Sequence, residues 1–228
     1  MDKIKNDLLE LKDDDGYKEF IDNLIVNERK TEVLGVRMGA LRKYGKELVK
    51  DKELSSSFIK DLPHQYLEEY HIHGIILSNI KDYDLLIKEI NILLPYLDNW
   101  SVVDSFNPKL LGKFKEETLT HIKKWINSGH TYTIRFGIIT LMINYLSNDI
   151  FSSEILDLVK NINFNEYYVN MARAWFFAEA LIKQYDRTIK YIEDKSLDKF
   201  THNKTILKAR DSYRVSEEKK EYLKTLRM

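Results

Sequence analysis

Apolar residues recur three and four positions apart along most of this 228-residue chain. That spacing places them on one face of an α helix, whereas a half-buried strand alternates apolar and polar residues. Only three prolines and eight glycines interrupt the pattern, which favours long helices over a strand-rich fold with many tight turns. The sequence therefore predicts an all-α fold.

The predicted helices are joined by short polar links. Two precede Gly35, one begins near Met38, and the others cover 64–78, 83–96, 113–128, 132–146, 152–160, 166–184, 186–194, 199–212 and 216–226. Helix pairs recur loosely, with a period of about 35–45 residues, which is in the range of HEAT and armadillo repeats. We therefore predict an α-α superhelix (solenoid) of HEAT-like helical repeats, with an irregular helical bundle as the alternative. No shift in composition marks a linker, so residues 1–228 are predicted to form one domain.

Missing residues and motifs argue against several chemistries. Cysteine is absent, which rules out disulfides and cysteine-zinc sites and fits a reducing cytoplasm. The chain contains no GxGxxG, GxxxxGKS/T, GxSxG or HExxH motif. His71 and His73 form an HxH pair, but residues two apart on a helix point in different directions. We therefore expect no metal site and no cofactor.

The first residues and the apolar stretches of the sequence give no sign of membrane targeting. The first residues, MDKIKNDLLELKDDD, are charged throughout, unlike a signal peptide. The apolar run FGIITLMI at 136–143 is too short to span a bilayer. We expect a cytoplasmic protein without membrane contact.

Charge is divided unevenly along the chain although the net charge is zero. Residues 1–104 contain 15 Lys and Arg against 21 Asp and Glu, a net charge of −6, whereas residues 105–228 contain 21 against 15, a net charge of +6. Such asymmetry is found in proteins that bind a polyanion, and it also arises by chance on a lysine-rich surface. If it is functional, Arg135, Arg173 and several lysines between Lys183 and Lys208 should lie near one surface.

Three residues are singled out by their local sequence. Trp100 and Asp104 are four apart, so on a helix they share a face and place an aromatic ring beside a carboxylate. The plain alternative is a half-buried tryptophan next to a surface acid. Arg135 interrupts the apolar run YTIRFGIITLMINYL, so it is either buried and paired or lines a cleft that meets an anion such as phosphate. Trp125, in an amphipathic segment, is predicted to be a core residue.

Five segments together resemble the AlkD-type DNA alkylation repair family, HEAT-like-repeat proteins that include alkylpurine DNA glycosylases. They are LGVRMGALR at 34–42, NWSVVDSF at 99–106, the lone arginine in YTIRFGI, RAWFFAEAL at 173–181 and FTHNKTILKARDSYR at 200–214. The resemblance extends from about residue 15 to the end of the chain, and it rests on the order and spacing of the segments.

The resemblance implies a function and a set of site residues. Trp100 and Asp104 match the tryptophan and aspartate of the family's cleft, Arg135 matches its arginine, and Trp175 matches its second tryptophan. The implied activity is hydrolysis of the N-glycosidic bond of cationic N3- or N7-alkylated purines in duplex DNA, by a monomer without a cofactor. Arg173, Lys183, Lys204 and Lys208 are expected to contact DNA. One departure is Ser101, at a position where active members often carry an acid.

The implied residues suit that chemistry. An alkylated purine is already positively charged and is a good leaving group, so the sugar is what needs stabilisation as it gains oxocarbenium character. A carboxylate stabilises that charge, and tryptophan faces favour a cation. The alternative left open by the sequence is a non-catalytic module of the same fold that binds DNA structure or a protein.

Overall fold

The computed structural model describes residues 2–25, 30–147 and 151–228, and within these ranges the fold is all-α. Fourteen α helices and one short 3-10 helix, Leu94–Tyr96, make up the regular structure of this part of the chain. The only extended pairing among the same residues is an isolated parallel bridge between Glu32 and Tyr66. The all-α prediction is confirmed.

The helices fall into two compact units, Met1–Phe114 and Lys115–Met228. The helices of the first unit are α1 (Asp2–Glu10), α2 (Asp15–Leu24), α3 (Met38–Leu48), α4 (Lys52–Ile59), α5 (Leu67–Leu77), α6 (Tyr83–Leu93) and α7 (Trp100–Ser105). The helices of the second unit are α8 (Lys115–Trp125), α9 (Thr131–Asn144), α10 (Ser153–Lys160), α11 (Tyr167–Lys183), α12 (Tyr185–Glu193), α13 (Lys199–Asp211) and α14 (Glu217–Thr225). The single domain predicted for residues 1–228 stays a prediction.

Alternate helices pack on one another within each unit. In the first unit α3 packs on α5 and α5 on α7, with α4 and α6 against this series. In the second unit α9 packs on α11 and α11 on α13, while α8, α10, α12 and α14 pack along them. A series of every second helix, covered by the helices between, is the arrangement expected of stacked helical hairpins.

Helices α5 and α9 are buried on nearly all sides, as their apolar sequences require. In α9 every residue from Tyr132 to Met142 is buried, which leaves no polar face to solvent over three turns. Trp125 of α8 is 4% exposed and its ring lies 5.1 Å from that of Phe136, so the prediction that Trp125 is a core residue is confirmed. No helix within the described ranges is long and apolar enough to cross a bilayer.

A buried carboxylate fixes the chain that leads into α3. Glu68 of α5 is 3% exposed and accepts hydrogen bonds from the backbone N–H groups of Leu34, Gly35 and Val36 at 2.8–3.2 Å. Gly35 has a φ of +90°, a conformation that residues with a Cβ rarely adopt. Glu68 thus replaces the hydrogen bonds that this non-helical stretch cannot form with itself.

Candidate functional site

Helix α7 presents Trp100 and Asp104 on one face. Asn99, 1% exposed, begins the helix by accepting a hydrogen bond from the N–H of Val102 at 3.2 Å. Val102 and Val103 are fully buried, whereas Trp100 and Asp104 are half-buried. The short helix therefore packs through its valines and leaves the aromatic ring and the carboxylate accessible to solvent.

Asp98 holds the start of α7 in place. Its carboxylate accepts hydrogen bonds from the backbone N–H groups of Lys30 and Thr31 at 2.7 and 3.0 Å and from the Thr31 hydroxyl. The side-chain amide of Asn99 donates to the same carboxylate at 2.9 Å. Asp98 is therefore a structural residue, and the sequence DNWSVVDSF contains one acid that anchors α7 and one that α7 presents.

His71 of α5 holds the adjacent side of α7 through Ser101 and Ser105, each of which follows a residue of the Trp100–Asp104 pair. Its Nε2 lies 3.2 Å from the Ser101 hydroxyl and its Nδ1 lies 3.1 Å from the Ser105 hydroxyl. Burial, and to a lesser extent the charge of Arg42, lowers the pKa of His71 to about 4, so the ring is neutral at pH 7. Ser105 donates to the Val102 carbonyl, which assigns its oxygen as the acceptor from Nδ1–H and Ser101 as the donor to Nε2.

Arg135 is buried in α9 and is tied to the first turn of α11. The residue is 6% exposed, and its Nη1 donates to the carbonyl oxygen of Tyr168 at 2.8 Å. Burial raises the pKa of Tyr168, and the charge of Arg135 acts against that increase. The sequence left two interpretations of Arg135, a buried and paired residue or a cleft residue that meets an anion. The structure shows a buried residue that bonds a carbonyl oxygen.

Trp175 lies two turns beyond Tyr168 on α11, on the same side of that helix. The residue is half-buried, while Phe176 and Phe177 beside it are fully buried. Tyr168 and Tyr132 of α9 have ring centroids 6.0 Å apart, so the two helices are joined by aromatic contact next to Arg135. Trp175 is therefore partly accessible to solvent, unlike the two phenylalanines that follow it.

A family model described as DNA alkylation repair enzyme matches residues 4–213. The chain belongs to the DNA alkylation repair enzyme family. No curated protein and no solved structure gives a significant match to it. The resemblance predicted from the five segments is confirmed, and a role in the repair of alkylated DNA follows from membership of the family.

The four residues predicted from the resemblance lie on three helices. Trp100 and Asp104 lie together on α7 in the first unit, and Arg135 and Trp175 lie on α9 and α11 in the second. The site of four residues stays a prediction. Among the described residues no group of three or more His, Asp and Glu side chains could hold a metal ion.

Arg173, expected to contact DNA, donates its hydrogen bonds to groups within the protein. The residue is 7% exposed and donates to the carbonyl oxygens of Val159 and Lys160, to Asn170 and to Asp198. These contacts join α10, α11 and the start of α13. These contacts account for the burial of Arg173, so we propose no DNA contact for it.

The predicted lysines are better placed to meet a polyanion. Lys183 is exposed in the last turn of α11, and Lys204 and Lys208 are half-buried one turn apart on α13. The ammonium group of Lys204 lies 5.9 Å from the ring centroid of Phe200, which holds its stem against the aromatic residue. DNA contact by these lysines stays a prediction.

Sequence reasoning missed His71 as a residue that positions α7. It was considered only as a metal ligand together with His73, and the two rings indeed face different neighbours: His71 contacts serines of α7, and His73 contacts His64. The partners of His71 lie about thirty residues away in the sequence. The available signal was the spacing of Ser101 and Ser105, which are one turn apart like Trp100 and Asp104.

Proposed function

We propose that this chain is a DNA glycosylase that removes N3- and N7-alkylated purines from duplex DNA. The observation that carries the proposal is the pair on α7: an accessible tryptophan and an accessible carboxylate, one turn apart, on a helix held at its start by Asp98 and along one side by His71. Membership of a DNA alkylation repair family supplies the context. A carboxylate that served only to begin a helix would lie at its first residues, whereas Asp104 lies in its last turn.

The proposed reaction is hydrolysis at C1′ of the damaged nucleotide. The bond between C1′ and the purine nitrogen breaks, and its electron pair neutralises the positive charge of the alkylated base. Asp104 stabilises the positive charge that develops on the sugar and orients a water molecule, which forms the new C1′–O bond and releases its proton to the carboxylate or to solvent. The leaving base needs no proton, so the reaction requires no general acid.

Aromatic rings and positive charge complete the proposed site. The electron-rich faces of Trp100 and Trp175 favour the cationic sugar over its neutral ground state. As the family resemblance implies, Arg135 attracts a flanking phosphate; because the residue is buried and bonded to the Tyr168 carbonyl oxygen, it acts through its weakly screened charge and not by direct contact. Lys183, Lys204 and Lys208 bind further phosphates without reading the base sequence.

The proposed partner is duplex DNA with alkylated bases, bound by a monomer in the cytoplasm. The test is incubation of the full chain with methylated duplex DNA, followed by chromatography of the released bases. Release of 3-methyladenine or 7-methylguanine supports the proposal, and no release above the spontaneous rate from DNA that the chain has bound contradicts it.

One observation favours a second candidate, a non-catalytic module that binds DNA structure. Ser101 lies where active relatives often carry an acid, and its hydroxyl contacts the neutral ring of His71. This side of α7 therefore lacks a second negative charge beside the proposed sugar site. DNA binding without base release would support the module.

A further inference from the structure

The first unit contains an open pocket that the proposed reaction does not use. The pocket has a volume of about 210 Å³ and lies between α3, α5 and α7. This is several times the roughly 30 Å³ that one water molecule occupies, so the pocket can hold a phosphate group together with some of its water. Its polar lining consists of Arg42, Lys46, His71, Ser78, Asn79 and Ser105.

Two cations on α3 give the pocket its charge. Arg42 and Lys46 are exposed and one turn apart, so their charges repel each other. No acidic residue lines the pocket, and within the described ranges neither cation forms an ion pair with a carboxylate. An anion placed between the two would relieve their repulsion and gain the attraction of both.

The opposite wall of the pocket is polar and uncharged. His71 is bonded to Ser101 and Ser105 and is neutral, and Ser78 and Asn79 donate hydrogen bonds to backbone carbonyl groups of α5. The wall therefore adds no negative charge that would repel an anion. It also belongs partly to α7, because Ser105 directly follows Asp104.

We propose that this pocket binds a phosphate-type anion, and that in the repair reaction the anion is a phosphate of the DNA backbone. This assignment rests on the proposed function, because it makes the pocket the point that holds the strand beside the helix carrying Asp104. It places a DNA contact in the half of the chain whose net charge is −6, where the uneven charge distribution gave no reason to look.

The test compares two double variants that remove the same charge from neighbouring positions. Arg42→Ala/Lys46→Ala empties the pocket of cations. Lys43→Ala/Lys50→Ala removes two exposed lysines that do not line it, of which Lys50 is paired with Glu47. Binding of a short undamaged duplex is measured by fluorescence anisotropy between about 50 and 200 mM salt, where each lost phosphate contact lowers the salt slope by about 1.

The pocket variant should lower the slope by about 1 relative to the wild type, because one phosphate contact is lost, and the control variant should lower it by less. Equal slopes for the two variants, or a pocket variant with the wild-type slope, would overturn the proposal. Thermal melting with inorganic phosphate forms a second arm. If phosphate stabilises the wild type but not the pocket variant while the DNA slope is unchanged, the ligand is a free phosphate compound and the strand assignment is wrong.

Base release measured on the same samples separates this inference from the proposed function. If the chain binds DNA through the pocket but releases no base, the phosphate assignment of the pocket stands and the proposed glycosylase activity is wrong. If the wild type releases base and the pocket variant binds DNA with the wild-type affinity and salt slope, the glycosylase proposal stands and the phosphate assignment of the pocket is wrong.

Discussion

Arg173 donates from Nη1 to Oδ2 of Asp198 at 2.8 Å, so a buried guanidinium of α11 is tied to the carboxylate that begins α13. Burial raises the pKa of Asp198, but hydrogen bonds from Thr201 and Arg173 outweigh it and the pKa is lowered. We expect Arg173→Gln to lower the free energy of unfolding by about 3 kcal/mol, the low end for breaking a buried pair. The low end applies because the Asp198 side chain is 44% exposed. Urea unfolding measures this change.

Arg187→Gln is the matched control, because Arg187 is exposed on the neighbouring helix α12. Its free energy of unfolding should stay within about 0.5 kcal/mol of the wild type. Affinity for undamaged duplex should be unchanged in folded Arg173→Gln. An Arg173→Gln protein as stable as the wild type but weaker in DNA binding would restore Arg173 to the DNA-contacting residues.

Glu68 should be the acid whose loss the first unit tolerates least. Glu68→Gln replaces one acceptor oxygen by an NH₂ group that faces the N–H groups of residues 34–36, and should lower the free energy of unfolding by on the order of 3 kcal/mol. Hydrogen exchange gives a local measure: the Gly35 amide should exchange much faster in this variant. Glu53→Gln, in the exposed first turn of α4, should change neither quantity appreciably. Unchanged protection of Gly35 would contradict the role given to Glu68.

Three buried histidines should make the first unit sensitive to mild acid. Burial lowers the pKa of His64 to about 4, of His71 to about 4 and of His73 to about 3. These values lie below the unfolded pKa of about 6.5, so between pH 6 and 4.5 the unfolded chain binds protons that the folded chain does not. Stability is therefore lost as the pH falls, by about 1 kcal/mol per pH unit for each histidine.

The variant His64→Phe tests this pH dependence at one position. The imidazole of His64 stacks on Phe58 at 4.5 Å, which a phenyl ring can imitate, although its hydrogen bond to His73 is lost. The variant should be less stable at pH 7 but should lose stability less steeply between pH 6 and 5, by about 1 kcal/mol per pH unit. A wild-type free energy of unfolding that is flat over this interval would refute the protonation account.

Helices and core were predictable where the pattern was local. Trp125 follows from the spacing of its segment, and α9 follows from its long apolar run. Helix α4 was missed because its sequence, KELSSSFI, has three consecutive serines and only three apolar residues, Leu54, Phe58 and Ile59. It forms because Asp51 accepts from the N–H of Leu54 and because Ser55 bonds to the Leu48 carbonyl.

Site residues were predictable in their identity and less so in their surroundings. The shared face of Trp100 and Asp104 follows from the sequence only if that stretch is helical; the structure shows that it is, as helix α7, which the predicted helices did not include. The roles of Arg173 and His71 could not be read in the same way, because their partners come from other helices: Asp198 for Arg173, Ser101 and Ser105 for His71. The charge surplus of the C-terminal half suggested that Arg173 binds DNA, whereas in the structure it is buried and bonds carbonyl oxygens of α10 and the carboxylate of Asp198.

Trp175 should affect the reaction and Trp125 only the fold. Trp175→Leu keeps an apolar side chain but removes the electron-rich ring, and a cation–π contact of about 0.5–2 kcal/mol corresponds to a loss of roughly two- to thirtyfold in the rate of base release. Trp125→Phe should lower the free energy of unfolding while leaving base release per folded molecule unchanged. Single-turnover kinetics and urea unfolding of both variants measure the contrast. Equal rates for the two variants would remove Trp175 from the proposed site.

The most direct test of the proposed function is single-turnover release of 7-methylguanine by the wild type, Asp104→Asn and Asp84→Asn. Asp84 is an exposed acid in the first turn of α6 and serves as the matched control. Asparagine keeps the size of the side chain but removes the charge, so Asp104→Asn should lower the rate by on the order of 10²–10³ with DNA affinity and melting temperature nearly unchanged. Asp84→Asn should release base at the wild-type rate. Base release by Asp104→Asn as fast as by the wild type would contradict the assignment of Asp104 as the catalytic carboxylate.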